Sequence, residues 1–111
     1  MVRPTEFKIR RTTTETNVTL LITGELDLST VPVLAESIGR PADIAQTLTL
    51  DLSELSFMDS TGLRLLIELD QQARREDWKL SLIRPRHETA AAVLHSTGAD
   101  AALPFEDAAD R

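Results

Sequence analysis

The feature that most limits the fold is a change of apolar rhythm between residues 47 and 73. In residues 47–53 the leucines Leu48, Leu50 and Leu52 fall on alternate positions, the period of a strand with one buried face. Beyond Gly62 the residues Leu63, Leu65, Leu66, Ile67, Leu69 and Ala73 follow the 3.6-residue period of a helix. The same order of rhythms occurs before and after this stretch. Residues 18–23 (VTLLIT) are rich in strand formers and end at Gly24, then Val31, Leu34, Ala35 and Ile38 recur at helical spacing. Residues 79–85 (KLSLIRP) predict a strand stopped by Pro85, and residues 88–98 a third helix stopped by Gly98. Strands that alternate with helices predict an α/β layer fold with crossover connections.

The remaining segments fill in this frame. Phe7 and Ile9 alternate with Lys8 and Arg10 and predict a short first strand, and residues 10–17 read as a polar turn. Ser29 or Thr30 is expected to cap the first helix, with Pro32 in its first turn, where the missing N–H costs nothing. Gly39 and Pro41 close that helix. Residues 102–108 (ALPFEDA) predict a short final strand or edge, with a frayed acidic tail.

Size and charge narrow the function. At 111 residues the chain suits one domain, with 41% hydrophobic and 27% charged residues and no cysteine. Disulfides and thiolate metal sites are therefore impossible, and a reducing compartment fits. The net charge of −6 argues against direct nucleic-acid binding and against anionic membrane surfaces. The first ten residues hold no apolar run that would mark a signal peptide, and no segment nears the roughly 20 apolar residues of a membrane helix. A cytoplasmic protein is expected.

One segment interrupts the apolar pattern. In LSFMDSTGLRLLIELD, residues 55–70, an acid, two hydroxyls and a glycine stand between two buried runs. Asp59, Ser60 and Thr61 are good capping residues, and Gly62 lets the backbone turn closely. The plain reading is a capped helix after a turn. The functional reading is that a helix N-terminus, with unpaired N–H groups and partial positive charge, tolerates a phosphate. A phosphoryl group on Ser60 would add a charge of about −1.5 to −2 and change the surface without unfolding the domain. The helix that follows carries apolar residues over an arc of roughly 200°, wider than a core-facing stripe needs, interrupted by Asp70. Its Leu65 and Leu69 edge is expected to be partly uncovered, as a patch for a docking partner.

There is no Gly-rich phosphate loop with lysine and no nucleophile elbow around Ser60, so no catalytic residue or cofactor is assigned. His87 and His95 lack metal-ligand spacing and read as surface or cap residues. Arg84 and Arg86 read as a solvated loop. Trp78 reads as strand-edge packing, and Glu106, Asp107 and Asp110 as a solvated tail.

TGELDLST followed by LTLDLSELSFMDSTGLRLL closely resembles the STAS domains of bacterial anti-sigma-factor antagonists. STGA at residues 96–99 also resembles the segment after that family's last core helix. The resemblance implies one STAS domain over residues 5–107, with a tail over 108–111. It implies a small mixed β-sheet with helices packed mainly on one side. It further implies a non-enzymatic partner switch. Such proteins bind an anti-sigma factor that is itself a serine kinase, freeing the sigma factor. The kinase phosphorylates the antagonist, which then lets go, and a phosphatase resets it. On this sequence the modified serine maps to Ser60, with Thr61 as the other hydroxyl. Asp59, Thr61 and Gly62 complete the switch loop. Gly24, Glu25, Leu26 and Asp27 map to a loop beside it. The alternative is a STAS subunit held in a larger complex, such as a stressosome-like scaffold or a lipid-transporter accessory protein. Oligomeric state is not readable from the sequence.

Overall fold

The computed structural model describes residues 6–40 and 46–106. Five strands and four helices are found among them: β1 (Lys8–Thr13), β2 (Asn17–Leu26), α1 (Val31–Ile38), β3 (Thr47–Asp51), β4 (Leu55–Met58), α2 (Ser60–Glu76), β5 (Lys79–Ile83), α3 (Glu88–Ser96) and α4 (Ala99–Ala102). The sheet runs β1-β2-β3-β5, with β4 also paired to β2. β1 is antiparallel to β2 and the other pairings are parallel, so the sheet is mixed.

The register explains the leucine alternation. Val18 faces Leu48, which faces Leu80, and Leu20 faces Leu50, which faces Leu82. These residues form one buried layer with Leu34 and Ile38 of α1, Leu63, Leu66 and Leu69 of α2, and Ala90 and Leu94 of α3. The helices therefore cover the leucine face. The opposite face carries Thr19, Leu21, Thr23, Thr49 and Asp51, all half-buried. A fully buried leucine contributes roughly 1.5–3 kcal/mol, so this layer dominates the stability of the domain.

Several boundaries differ from the sequence reading. The polar turn is confined to residues 14–16, because Arg10 to Thr13 stay in β1 and pair with Leu21 to Val18. Asn17 N–H closes the turn on Thr14 Oγ1 at 3.1 Å. β2 does not end at Gly24 but runs on to Leu26. At Gly24, with φ of +104°, the register shifts, and β2 pairs with β4 over its last residues. β4 itself was absent from the sequence reading. It is four residues long, and without the β2 extension its run has no partner. The expected third helix is α3, which ends at Ser96 with Gly98 at φ of +77° just beyond it, and the short α4 that follows is an addition to the sequence reading. The expected final strand is a single bridge between Leu82 and Phe105. Pro41, Asp107 and the tail lie outside the described residues.

The expected cap of α1 is also corrected. Thr30 occupies the cap position, but its hydroxyl accepts from Asp27 N–H at 2.9 Å and donates to Glu25 O at 2.7 Å, and it accepts no helix N–H. The Asp27 carboxylate instead accepts from Ser29 N–H at 2.9 Å, Ser29 Oγ at 2.7 Å and Thr30 N–H at 3.2 Å. Glu106, Arg84 and Arg86 are not merely solvated. Ser81 Oγ donates to Glu106 at 2.9 Å, Arg84 lies 4.8 Å from the Phe105 ring centre, and Arg86 pairs with Glu54. His87 is exposed at the start of α3, and His95 is exposed beside Asp100 at 3.2 Å. Trp78 is half-buried against the core just before β5.

Candidate functional site

The site forms where β2 and β4 end side by side. Glu25 pairs with Phe57 and Leu26 with Met58, so the residues that follow, Asp27 and Asp59, leave the sheet together. Asp59 N–H donates to Leu26 O at 3.2 Å, a last rung of the ladder. Asp59 is extended (φ −103°, ψ −173°) and stands as the N-cap of α2. Its carboxylate accepts from Thr61 N–H at 2.9 Å, from Gly62 N–H at 3.2 Å and from the Thr61 hydroxyl. Leu63 N–H reaches Asp59 O at 3.1 Å. Three N–H groups of the first turn are thereby satisfied from a single residue.

These bonds favour the ionised carboxylate. The Thr61 hydroxyl is the largest influence and holds the Asp59 carboxyl below the usual carboxylate range; burial opposes it, and the N–H groups of Gly62, Thr61 and Leu28 each add to the lowering. Asp27 is likewise lowered, chiefly by the Ser29 hydroxyl. The Leu28 contribution ties the two loops together, since a backbone group after β2 supports the acid after β4. The GELD segment at residues 24–27 thus lies beside the DSTG segment. Glu25 is exposed, and Gly24 is buried with its carbonyl accepting from Ser56 Oγ at 3.0 Å.

The two candidate hydroxyls are treated differently. Thr61 is half-buried and its hydroxyl is taken by Asp59. Ser60 is exposed as the first residue of α2, and its hydroxyl has no partner among the described residues. Gly62 is buried beneath them. A methyl group there would lie 2.8 Å from Met58 Cγ and 3.0 Å from Leu26 Cδ2, so only glycine lets the helix start this close to the strands.

The apolar surface is distributed differently from expectation. Leu69 is only 5% exposed and Leu65 is half-buried, because α1 packs over them; with Ala35 and Ile38 they line the groove between α1 and α2. The large apolar groups that stand out are Leu28 (74% exposed), Val33 (48%) and Ile67 (39%). Ile67 shares a shallow groove on α2 with Ser60 and Arg64. Asp70, which breaks the apolar arc, is accommodated by an ion pair with Arg74 at 3.3 Å. Leu28 and Arg64 were not singled out from sequence. The available signal was an apolar residue in an otherwise polar loop and a cation one turn after the serine. No helix among the described residues is long and apolar enough to cross a membrane.

A mixed five-stranded sheet whose short strand β4 feeds an Asp-capped helix through a DSTG turn defines the chain as a member of the STAS domain family; the family's model matches residues 8–110. Among curated proteins, the anti-sigma-B factor antagonist of Bacillus subtilis (strain 168) is 31% identical over 68 residues. That match spans 61% of this chain and 62% of the relative's length. The crystal structure of an anti-sigma factor antagonist from Mycobacterium paratuberculosis superposes with a TM-score of 0.80 at 25% identity, covering 99% of this chain and 93% of the other. The anti-sigma factor antagonist SpoIIAA in its unphosphorylated form shares the fold, with a TM-score of 0.71 at 21% identity, covering 95% of this chain and 91% of that one.

Proposed function

We propose that this protein is an anti-sigma factor antagonist. In this reading it docks on an anti-sigma factor that is a serine kinase, and phosphorylation of Ser60 ends the contact. The observation that carries the reading is the contrast between the two hydroxyls: that of Ser60 is exposed and unpartnered, while that of Thr61 is committed to Asp59. A kinase transferring the γ-phosphoryl group of ATP to Ser60 Oγ would meet a hydroxyl that gives up no internal bond. The names of the relatives point the same way.

The switch is electrostatic. A hundredfold loss of affinity requires only about 2.8 kcal/mol. Carrying a phosphate charge of about −1.5 to −2 into an interface supplies that when no opposite charge meets it. The core need not move, because Ser60 lies outside it. A phosphatase acting on phospho-Ser60 would restore docking.

The test is incubation of the purified protein with candidate anti-sigma kinases and ATP, followed by peptide mass spectrometry. Phosphate on Ser60 is expected. Phosphate elsewhere, or none, would overturn the reading in favour of a non-catalytic STAS subunit of a larger assembly.

A further inference from the structure

One turn after Ser60, on the same face of α2, stands Arg64. Residues four apart on a helix are neighbours, with Cβ atoms roughly 5–6 Å apart. Ser60, Arg64 and Glu68 form one stripe and line one shallow groove. Long side chains on a helix lean back toward its N-terminus, a direction that carries an arginine at position 64 toward the first turn, where Ser60 lies.

Arg64 is exposed and has neither a hydrogen-bond nor an ion-pair partner among the described residues. Its acidic neighbour Glu68 is on the C-terminal side, the weaker order for an i,i+4 pair. Asp70 and Arg74, with the acid first, do close to 3.3 Å on the same helix. Meanwhile Asp59 already takes three of the N–H groups that the helix end could offer an anion, those of Thr61, Gly62 and Leu63. A phosphate on Ser60 would face an anionic Asp59 and three N–H groups already engaged, with Arg64 one helical turn away.

We propose that Arg64 is a built-in partner for the phosphate on Ser60. This rests on the reading of Ser60 given above and goes one step further. The guanidinium pairs with the phosphate oxygens, holds the monoester as a dianion against α2, and must be displaced before a phosphatase gains access. The phosphorylated state is then guarded from within the domain.

The experiment uses the full chain with phosphoserine installed at position 60 by genetic encoding, so that no kinase is needed. Phosphorus NMR follows the second ionisation of the phosphate in the wild type, Arg64→Ala and Arg64→Lys. Asp59 and Glu68 remain in all three. The second pKa is expected to rise by roughly 0.3 pH units in Arg64→Ala, as one exposed helix charge pair gives, with about twofold faster hydrolysis by alkaline phosphatase. Arg64→Lys is expected to recover at least about half of that shift, since it keeps the charge on a shorter-reaching donor set. Coincident titrations of wild type and Arg64→Ala overturn the inference, as does a lysine variant that behaves like alanine. Absence of kinase labelling at Ser60 in the unmodified chain overturns the proposed function and this inference together, whereas labelling with coincident titrations overturns this inference alone.

Discussion

Gly62 packs directly on Leu26: a Cβ built on the glycine would lie 3.0 Å from both Leu26 Cγ and Leu26 Cδ2. That contact seats the first turn of α2 against the end of β2 and sets how far Ser60 stands out from the sheet. Elsewhere in a helix, glycine to alanine stabilises by about 1 kcal/mol through propensity. Here the added methyl also meets Met58 Cγ at 2.8 Å. Overpacking of this kind costs typically about 1–3 kcal/mol, so the steric effect wins. Gly62→Ala is expected to lower the urea midpoint, and a raised midpoint would show that the helix shifts without penalty.

Gly24 combines two constraints. Its φ is +104°, and a Cβ would lie 2.9 Å from Phe7 Cα, which is backbone and cannot rotate away. Gly24→Ala is expected to cost about 1–3 kcal/mol from the backbone strain alone. Thermal unfolding measures it; a melting temperature equal to wild type would mean that β2 can change partners without a bulge.

Asp59 is the cap of α2, and its removal should act on stability first. Asp59→Ala is expected to cost about 0.5–2 kcal/mol, the range for loss of an N-cap. Asp59→Asn keeps an acceptor and is expected to lose less. Denaturant titration at neutral pH separates the two, and equal losses would show that charge rather than hydrogen bonding holds the turn.

The lowered Asp59 carboxyl fixes the sign of an acid effect. A depressed folded-state pKa means that the native protein binds fewer protons than the unfolded chain as pH falls. The contribution is fully present above the unfolded value of about 3.9 and is lost as pH drops through the folded value. Asp27, lowered by Ser29, acts in the same window. Asp59→Asn should therefore flatten the decline in stability below about pH 4 relative to wild type. Parallel pH profiles for the two proteins would remove Asp59 from the account.

Ser60 separates stability from binding. Both Ser60→Ala and Ser60→Asp are expected to stay within about 0.5 kcal/mol of wild-type stability, because the side chain is exposed and unpartnered. Under the proposed function their binding to an anti-sigma kinase should diverge: alanine stays bound, and aspartate loses affinity. Calorimetry of each variant with its anti-sigma factor measures this. An aspartate variant as tight as wild type would refute the electrostatic switch.

The leucine rhythm of β3, the strand formers of β2 and the cap-and-glycine pattern before α2 were all legible in the chain, because each reflects forces acting within a few residues. β4 was not. Leu55–Met58 has no alternating pattern, and only pairing with β2 makes it a strand. Likewise the apolar arc of α2 gave the helix but not its exposed edge. Packing of α1 buries Leu69 and leaves Ile67 in the open.

By itself, then, the sequence determined which segments bury a face and which residue types crowd the DSTG turn, since periodicity, capping and backbone freedom are local properties. Tertiary structure alone decided where the capped turn is seated in the fold. Asp59 is positioned by β2 and β4, and from there its carboxylate claims Thr61 and leaves Ser60 to solvent. That seating depends on strands some thirty residues apart in the chain meeting at one edge, a distance over which no local pattern carries information.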